Sequence, residues 1–123
     1  MNLENEAVLV IDNHEGVPEV ISALLRRLFG YEVDCAKSLE EGLGKIAAKN
    51  YRLVITNYRL DGKRGGNLIA EYLRVNGFDT KIIMISSHGW DVGVAMEVGA
   101  DAFIVKPVGL DELKNIVESV LAS

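Results

Sequence analysis

A chain of 123 residues, 49% of them hydrophobic and 25% charged, has the length of one domain and is apolar enough to fold without staples. Its net charge of -5 excludes a general nucleic-acid binder, which needs surplus Lys and Arg against phosphate, and its composition excludes a disordered segment. A lone cysteine, Cys35, excludes a disulfide framework and a multi-cysteine metal site and fits a reducing, cytoplasmic setting. No apolar run nears the ~20 residues of a membrane helix. The polar, acidic residues 1–6 do not read as a secretory signal.

Short apolar runs alternate with amphipathic stretches along the whole chain. The first run, 7–11, is continuous AVLVI, the signature of a strand covered on both faces. Val17, Val20, Ile21, Leu24, Leu25 and Leu28 then follow helical spacing, with Pro18 in the first turn and Gly30 as the stop. The run 31–36 reads as the second strand and buries Cys35. Ser38 with Glu41 makes a capping box for a second helix, whose stripe is Leu39, Leu43, Ile46 and Ala47. The third strand is 52–56. The basic, glycine-rich 62–66 lacks P-loop spacing and reads as a flexible loop into a helix over about 66–75, with Leu68, Ile69, Tyr72 and Leu73 inward. The fourth strand is 81–86. A fourth helix, about 90–98, is apolar around much of its girth through Trp90, Val92, Val94, Met96 and Val98. The fifth strand is 102–105, and a fifth helix starts near Leu110 and carries Leu113, Val117, Val120 and Leu121. This alternation predicts an α/β fold, with a parallel sheet covered by helices on both faces. A ligand site in such a sheet lies beyond the carboxyl ends of the strands, here in loops 12–16, 56–66, 86–90 and 106–109.

Those loops carry Asp12-Asn13, Thr56-Asn57, Ser86-Ser87-His88 and Lys106-Pro107. With VLVIDN at 8–13, LVITNYRL at 53–60 and GADAFIVKP at 99–107, the whole chain resembles the receiver domain of bacterial response regulators, the CheY-like superfamily. The resemblance implies a single receiver domain over 1–123 and a flavodoxin-like, doubly wound sheet of five parallel strands ordered 2-1-3-4-5 with five helices. It also implies a signalling module of a two-component or phosphorelay system, not an enzyme. An output domain would follow the fifth helix in a longer regulator.

The resemblance assigns roles residue by residue. Asn57 stands at the phosphoacceptor position, Ser86 is the switch hydroxyl, Phe103 the switch aromatic and Lys106 the phosphate-sensing lysine. Asp12, Asn13, Asn57 and the backbone carbonyl of Arg59 are the Mg²⁺ ligands, and Lys106 pairs with Asp12 beside a cis Lys106-Pro107 bond. The chain departs from the family at the centre of this site, because Asn57 and Asn13 replace aspartates. Acyl phosphate chemistry needs a carboxylate nucleophile, and Mg²⁺ is usually held by carboxylates. Asp12 and Lys106 leave the pocket formally neutral. The expectation is weak or absent Mg²⁺ binding, no phosphorylation at Asn57, no other cofactor, and a pseudo-receiver acting through protein contacts. Asp61 and Arg64 also depart from the pattern, and Asp61 is a remote substitute acid.

Other readings stay open at this stage. Asn13 and Asn57 suit turns in their own right, or they replace aspartates by engineering in an ordinary phosphorylatable receiver. A flavodoxin-type cofactor binder lacks its hydroxyl-rich loop after the first strand. Ser86 and Phe103 have plain readings as a strand-end hydroxyl and a packing residue. His14, Arg59 and His88 rim the pocket as solvated residues, as an anion site beside Lys106, or, with Asp12, as a transition-metal site. The face of the fourth helix, fifth strand and fifth helix is the expected surface for a protein partner or a second copy, with a histidine kinase in the ancestral role. Neither nucleic acid nor membrane is expected to bind directly.

Overall fold

The computed structural model describes residues 7–123, so the acidic segment 1–6 and its reading lie outside the described residues. The elements run β1 (Ala7–Ile11), α1 (Val17–Phe29), β2 (Glu32–Ala36), α2 (Leu39–Ala48), β3 (Leu53–Asn57), α3 (Gly65–Val75), β4 (Lys81–Ser86), a 3-10 turn (Gly89–Asp91), α4 (Val92–Glu97), β5 (Ala102–Val105) and α5 (Leu110–Ala122). The five strands form one parallel sheet in the order β2-β1-β3-β4-β5. This is the flavodoxin-like, doubly wound arrangement that the resemblance implies, and the parallel sheet that the alternation predicts. β1 and β3 are buried at every residue, which is why β1 and the first three residues of β3 read as apolar runs.

Alternate strand residues feed two cores. Leu9, Ile11, Val54, Ile82 and Met84 pack with α2 and α3 on one face. Val8, Val10, Ile55, Ile83 and Ile85 pack with α1 and α5 on the other. Among the described residues, no helix is long and apolar enough to cross a membrane.

Several helix faces differ from the periodicity reading. Val20 and Leu28 of α1 and Leu68 of α3 are exposed, and Ala47 faces solvent. A helix resting on a sheet buries a stripe of ~100°, and these residues fall at its edge. Cys35 is half-buried on the edge strand β2, its Sγ 2.8 Å from Ser22 Oγ. Ser38 does cap α2, accepting from the Glu41 amide at 3.0 Å, but the Glu41 carboxylate accepts from the Lys37 amide at 2.8 Å, one residue before the box predicts.

The fourth helix departs most. Its predicted first turn is the 3-10 segment, and α4 keeps only Val92–Glu97, with Ala95 its one buried residue. At the junction Asp91 turns inward and makes no cap at the start of α4.

A tight turn leads into the glycine-rich stretch after β3. Leu60 and Lys63 exchange two backbone bonds of 2.9 Å around Asp61 (φ 55°) and Gly62 (φ 72°). Positive φ at both central residues is the Asp-Gly signature of a type I′ turn. The fully buried Leu60 anchors it.

Candidate functional site

The carboxyl ends of β1, β3, β4 and β5 bring Asp12, Asn57, Ser86 and Lys106 to one edge of the sheet. Asp12 follows β1, is 2% exposed, and keeps the sheet going by donating its amide to the Ala36 carbonyl at 3.0 Å. Its Oδ1 accepts the His14 amide at 2.9 Å and lies 2.8 Å from His14 Nδ1. Its Oδ2 lies 3.5 Å from Lys106 Nζ. Lys106 Nζ is also 3.3 Å from His14 Nδ1, so His14 and Lys106 share one buried carboxylate. The Lys106-Pro107 bond is cis, and the Lys106 amide donates to the Ser86 carbonyl at 2.9 Å. Asn13 is exposed at the rim.

Asn57 ends β3, is 5% exposed, and pairs with Ile85 of β4. Its carboxamide donates through Nδ2 to the Arg59 carbonyl at 2.6 Å. A cation bridging residue 57 and that carbonyl needs lone pairs from both sides. Here one side offers N–H and is bonded to the other. Asp12, the remaining acid, already accepts from His14 and faces Lys106. The donor set therefore does not fit Mg²⁺, a hard ion that wants oxygen ligands and carboxylate charge.

Ser86 does not point its proton toward Lys106. Its hydroxyl donates to Asp91 Oδ2 at 2.8 Å and accepts from the His88 amide at 3.0 Å. Asp91 Oδ2 and Oδ1 also accept from Arg59 Nε and Nη2, at 3.0 and 2.9 Å, a bidentate pair. Burial by itself raises the Asp91 carboxyl; the bonds from Arg59 and Ser86 outweigh it, and the group titrates below the usual carboxylate range. The same pair holds the Arg59 guanidinium above its ordinary value. Sequence reading missed Asp91. The available signal was an acid set inside an otherwise apolar stretch. Arg59 was assigned through its carbonyl and, by its side chain, to the solvated rim or an anion site; the guanidinium is committed to Asp91, so it does not join Lys106 in an anion site.

Three other placements correct the sequence reading. Asp61 lies outside the pocket: its Oδ2 accepts the Leu39 amide at 3.0 Å and caps α2. His88 is half-buried, edge-on to Trp90 at 4.7 Å, with Nδ1 unpartnered, and does not meet His14. Among the described residues no group of three His, Cys, Asp or Glu gathers as a metal site would require. Phe103 is half-buried and packs against the core layer that holds Tyr58 and Met84. A groove of about 800 Å³ runs from His14 and Lys106 along Val17, Val20 and Leu24 of α1 to Leu110 and Leu113 of α5.

Residues 8–118 match the family model of the response regulator receiver domain. The transcriptional regulatory protein DltR of Streptococcus agalactiae is 35% identical over 108 residues, covering 86% of this chain and 47% of DltR. A probable transcriptional regulator, ycf27 of Porphyra purpurea, is 32% identical over 123 residues, covering 98% of this chain and 49% of its own. The chain thus spans about half the length of these curated relatives. Among solved structures, the response regulator protein TrrA of Thermotoga maritima, in complex with Mg²⁺ and BeF, superposes with a TM-score of 0.82 at 31% identity, covering 94% of this chain and 98% of that one.

Proposed function

The chain belongs to the response regulator receiver domain family of two-component systems, and from that premise we propose that it is a pseudo-receiver: a signalling domain that takes no phosphoryl group at Asn57 and works through protein contacts. The observation that carries this reading is the 2.6 Å bond from Asn57 Nδ2 to the Arg59 carbonyl. In it, the position that would supply a nucleophilic oxygen and a metal ligand supplies a hydrogen-bond donor. The carboxamide has no charge to attack phosphorus and would form no stable acyl phosphate.

The charge count supports the same reading. Asp12 faces Lys106 and Asp91 faces Arg59, so each carboxylate near the pocket has a cation partner. Nothing in that balance calls for a divalent ion. Ser86 and Lys106 keep the places of switch hydroxyl and phosphate-sensing lysine in the family pattern, but their bonds run inward, to Asp91 and Asp12. Phe103 serves as packing.

The single domain covers 1–123 in this reading and sits in the cytoplasm, as its one cysteine suggests. Receiver domains interact with histidine kinases and other proteins. The contact surface proposed here is the side bearing α4 and β5, where Trp90, Val92, Met96 and Val105 are exposed.

The test is titration with Mg²⁺ by calorimetry alongside incubation with acetyl phosphate, for the chain and for Asn13→Asp/Asn57→Asp. The chain itself should show neither binding nor modification. A stoichiometric, acid-labile phosphoprotein from the unaltered chain contradicts the proposal. Recovery of both properties in the double variant would mark these two asparagines as the whole of the loss.

A further inference from the structure

Asp91 is a buried acid that enters the proposed role only through the charge balance and its bond from Ser86. It is 3% exposed, and its partners come from separate segments: Arg59 from the loop after β3 and Ser86 from the end of β4. A bidentate guanidinium–carboxylate pair fixes orientation as well as distance. Opening it would strand a buried charge, which makes the closed arrangement strongly preferred. The Ser86 hydroxyl has given its one proton to Asp91 and accepts from the His88 amide, so it is committed to this cluster.

We propose that Arg59, Asp91 and Ser86 form a built-in clamp that holds the segment from Ser86 to α4 in one orientation without any covalent or ligand input. The consequence lies on the surface. Trp90, at 74% exposure, flanks Asp91 directly, and Val92 and Met96 follow it on α4. The clamp therefore fixes how this apolar patch is presented. It also withholds Ser86 from any ligand that reaches Lys106 unless the clamp opens. The clamp is a property of the unmodified chain, so it stands or falls apart from the chemistry at Asn57.

Trp90 is the only tryptophan, and its ring meets His88 edge-on at 4.7 Å, so its fluorescence reports this segment alone. The experiment compares the chain with Arg59→Met, Asp91→Asn and Ser86→Ala by hydrogen exchange and Trp90 anisotropy. The Arg59 side chain is 40% exposed, so Arg59→Met is expected to fold and decides the matter if Asp91→Asn does not. Arg59→Met should speed exchange of the 88–92 amides by about tenfold or more and lower Trp90 anisotropy, with β1 and β3 amides unchanged. Ser86→Ala should move the same amides in the same direction. Exchange at 88–92 that stays within about twofold of the unaltered chain overturns the clamp. So does an equal rise in β1 and β3, which would reduce the contact to general stability.

Discussion

At the scale of single residues, the pocket is governed by what each side chain donates or accepts. Asn57→Asp would exchange the Nδ2 donor for a carboxylate facing the Arg59 carbonyl, near the Asp12 charge and nine-tenths buried. That variant should lose about 1–3 kcal/mol of stability in chelator, the cost of an unpartnered buried group. Mg²⁺ should restore part of it, because an ion that binds only the folded state shifts unfolding by mass action. Chemical denaturation with and without Mg²⁺ measures both. Acid sensitivity follows from Asp34 and Asp91. The Tyr51 hydroxyl, with help from Lys49, holds Asp34 below the usual carboxylate range, as Arg59 and Ser86 hold Asp91. A group whose pKa is lowered on folding gives its full stabilisation above its unfolded value, about 4, and loses it as pH falls through the folded value. The melting midpoint should therefore fall below about pH 4, and Asp34→Asn should flatten that fall. A midpoint that climbs on acidification would contradict the assignment.

At the scale of elements, caps and close contacts set the loops that frame the pocket. α2 begins with two side-chain acceptors, Ser38 on the Glu41 amide and Asp61 on the Leu39 amide, both at 3.0 Å. Ser38→Ala and Asp61→Ala should each cost about 1 kcal/mol in thermal unfolding. Asp61→Ala should cost the more, since a β-carbon without a polar side chain also strains the φ of 55°. Gly66 lies in the first turn of α3, where a Cβ would stand 3.1 Å from the Tyr58 Cα and 3.0 Å from its ring. Backbone cannot yield as a side chain can, so Gly66→Ala should destabilise by about 1–3 kcal/mol. Much of this was legible in the sequence. The strands were plain because a strand covered on both faces is rich in Val, Ile and Leu, as at 8–11 and 53–55. Ser38 and Gly30 punctuated helices as their chemistry requires. The Asp91 cluster was not legible, because its partners lie 32 and 5 residues away in sequence and meet only when β3 and β4 pair. The capping role of Asp61 was not legible for the same reason: it depends on the Leu39 amide, 22 residues distant.

At the scale of the whole molecule, the net charge of -5 belongs to the surface. Near the pocket, Asp12 with Lys106 and Asp91 with Arg59 cancel, and this balance is what the proposed pseudo-receiver reading rests on in place of a demand for a cation. On the proposed reading, signalling is left to shape. Trp90, Val92, Met96 and Val105 are exposed apolar side chains on the segment before α4, on α4 and on β5. Trp90→Glu with Met96→Glu should abolish self-association or partner binding while leaving the far-ultraviolet circular dichroism intact. Light scattering at several concentrations checks the first property, and unchanged association would remove this face from the account. The most direct measurement is intact-mass spectrometry of the unaltered chain after incubation with acetyl phosphate and Mg²⁺. The account predicts a single unmodified mass; a near-complete phosphoryl adduct that disappears in Asn57→Ala would contradict it.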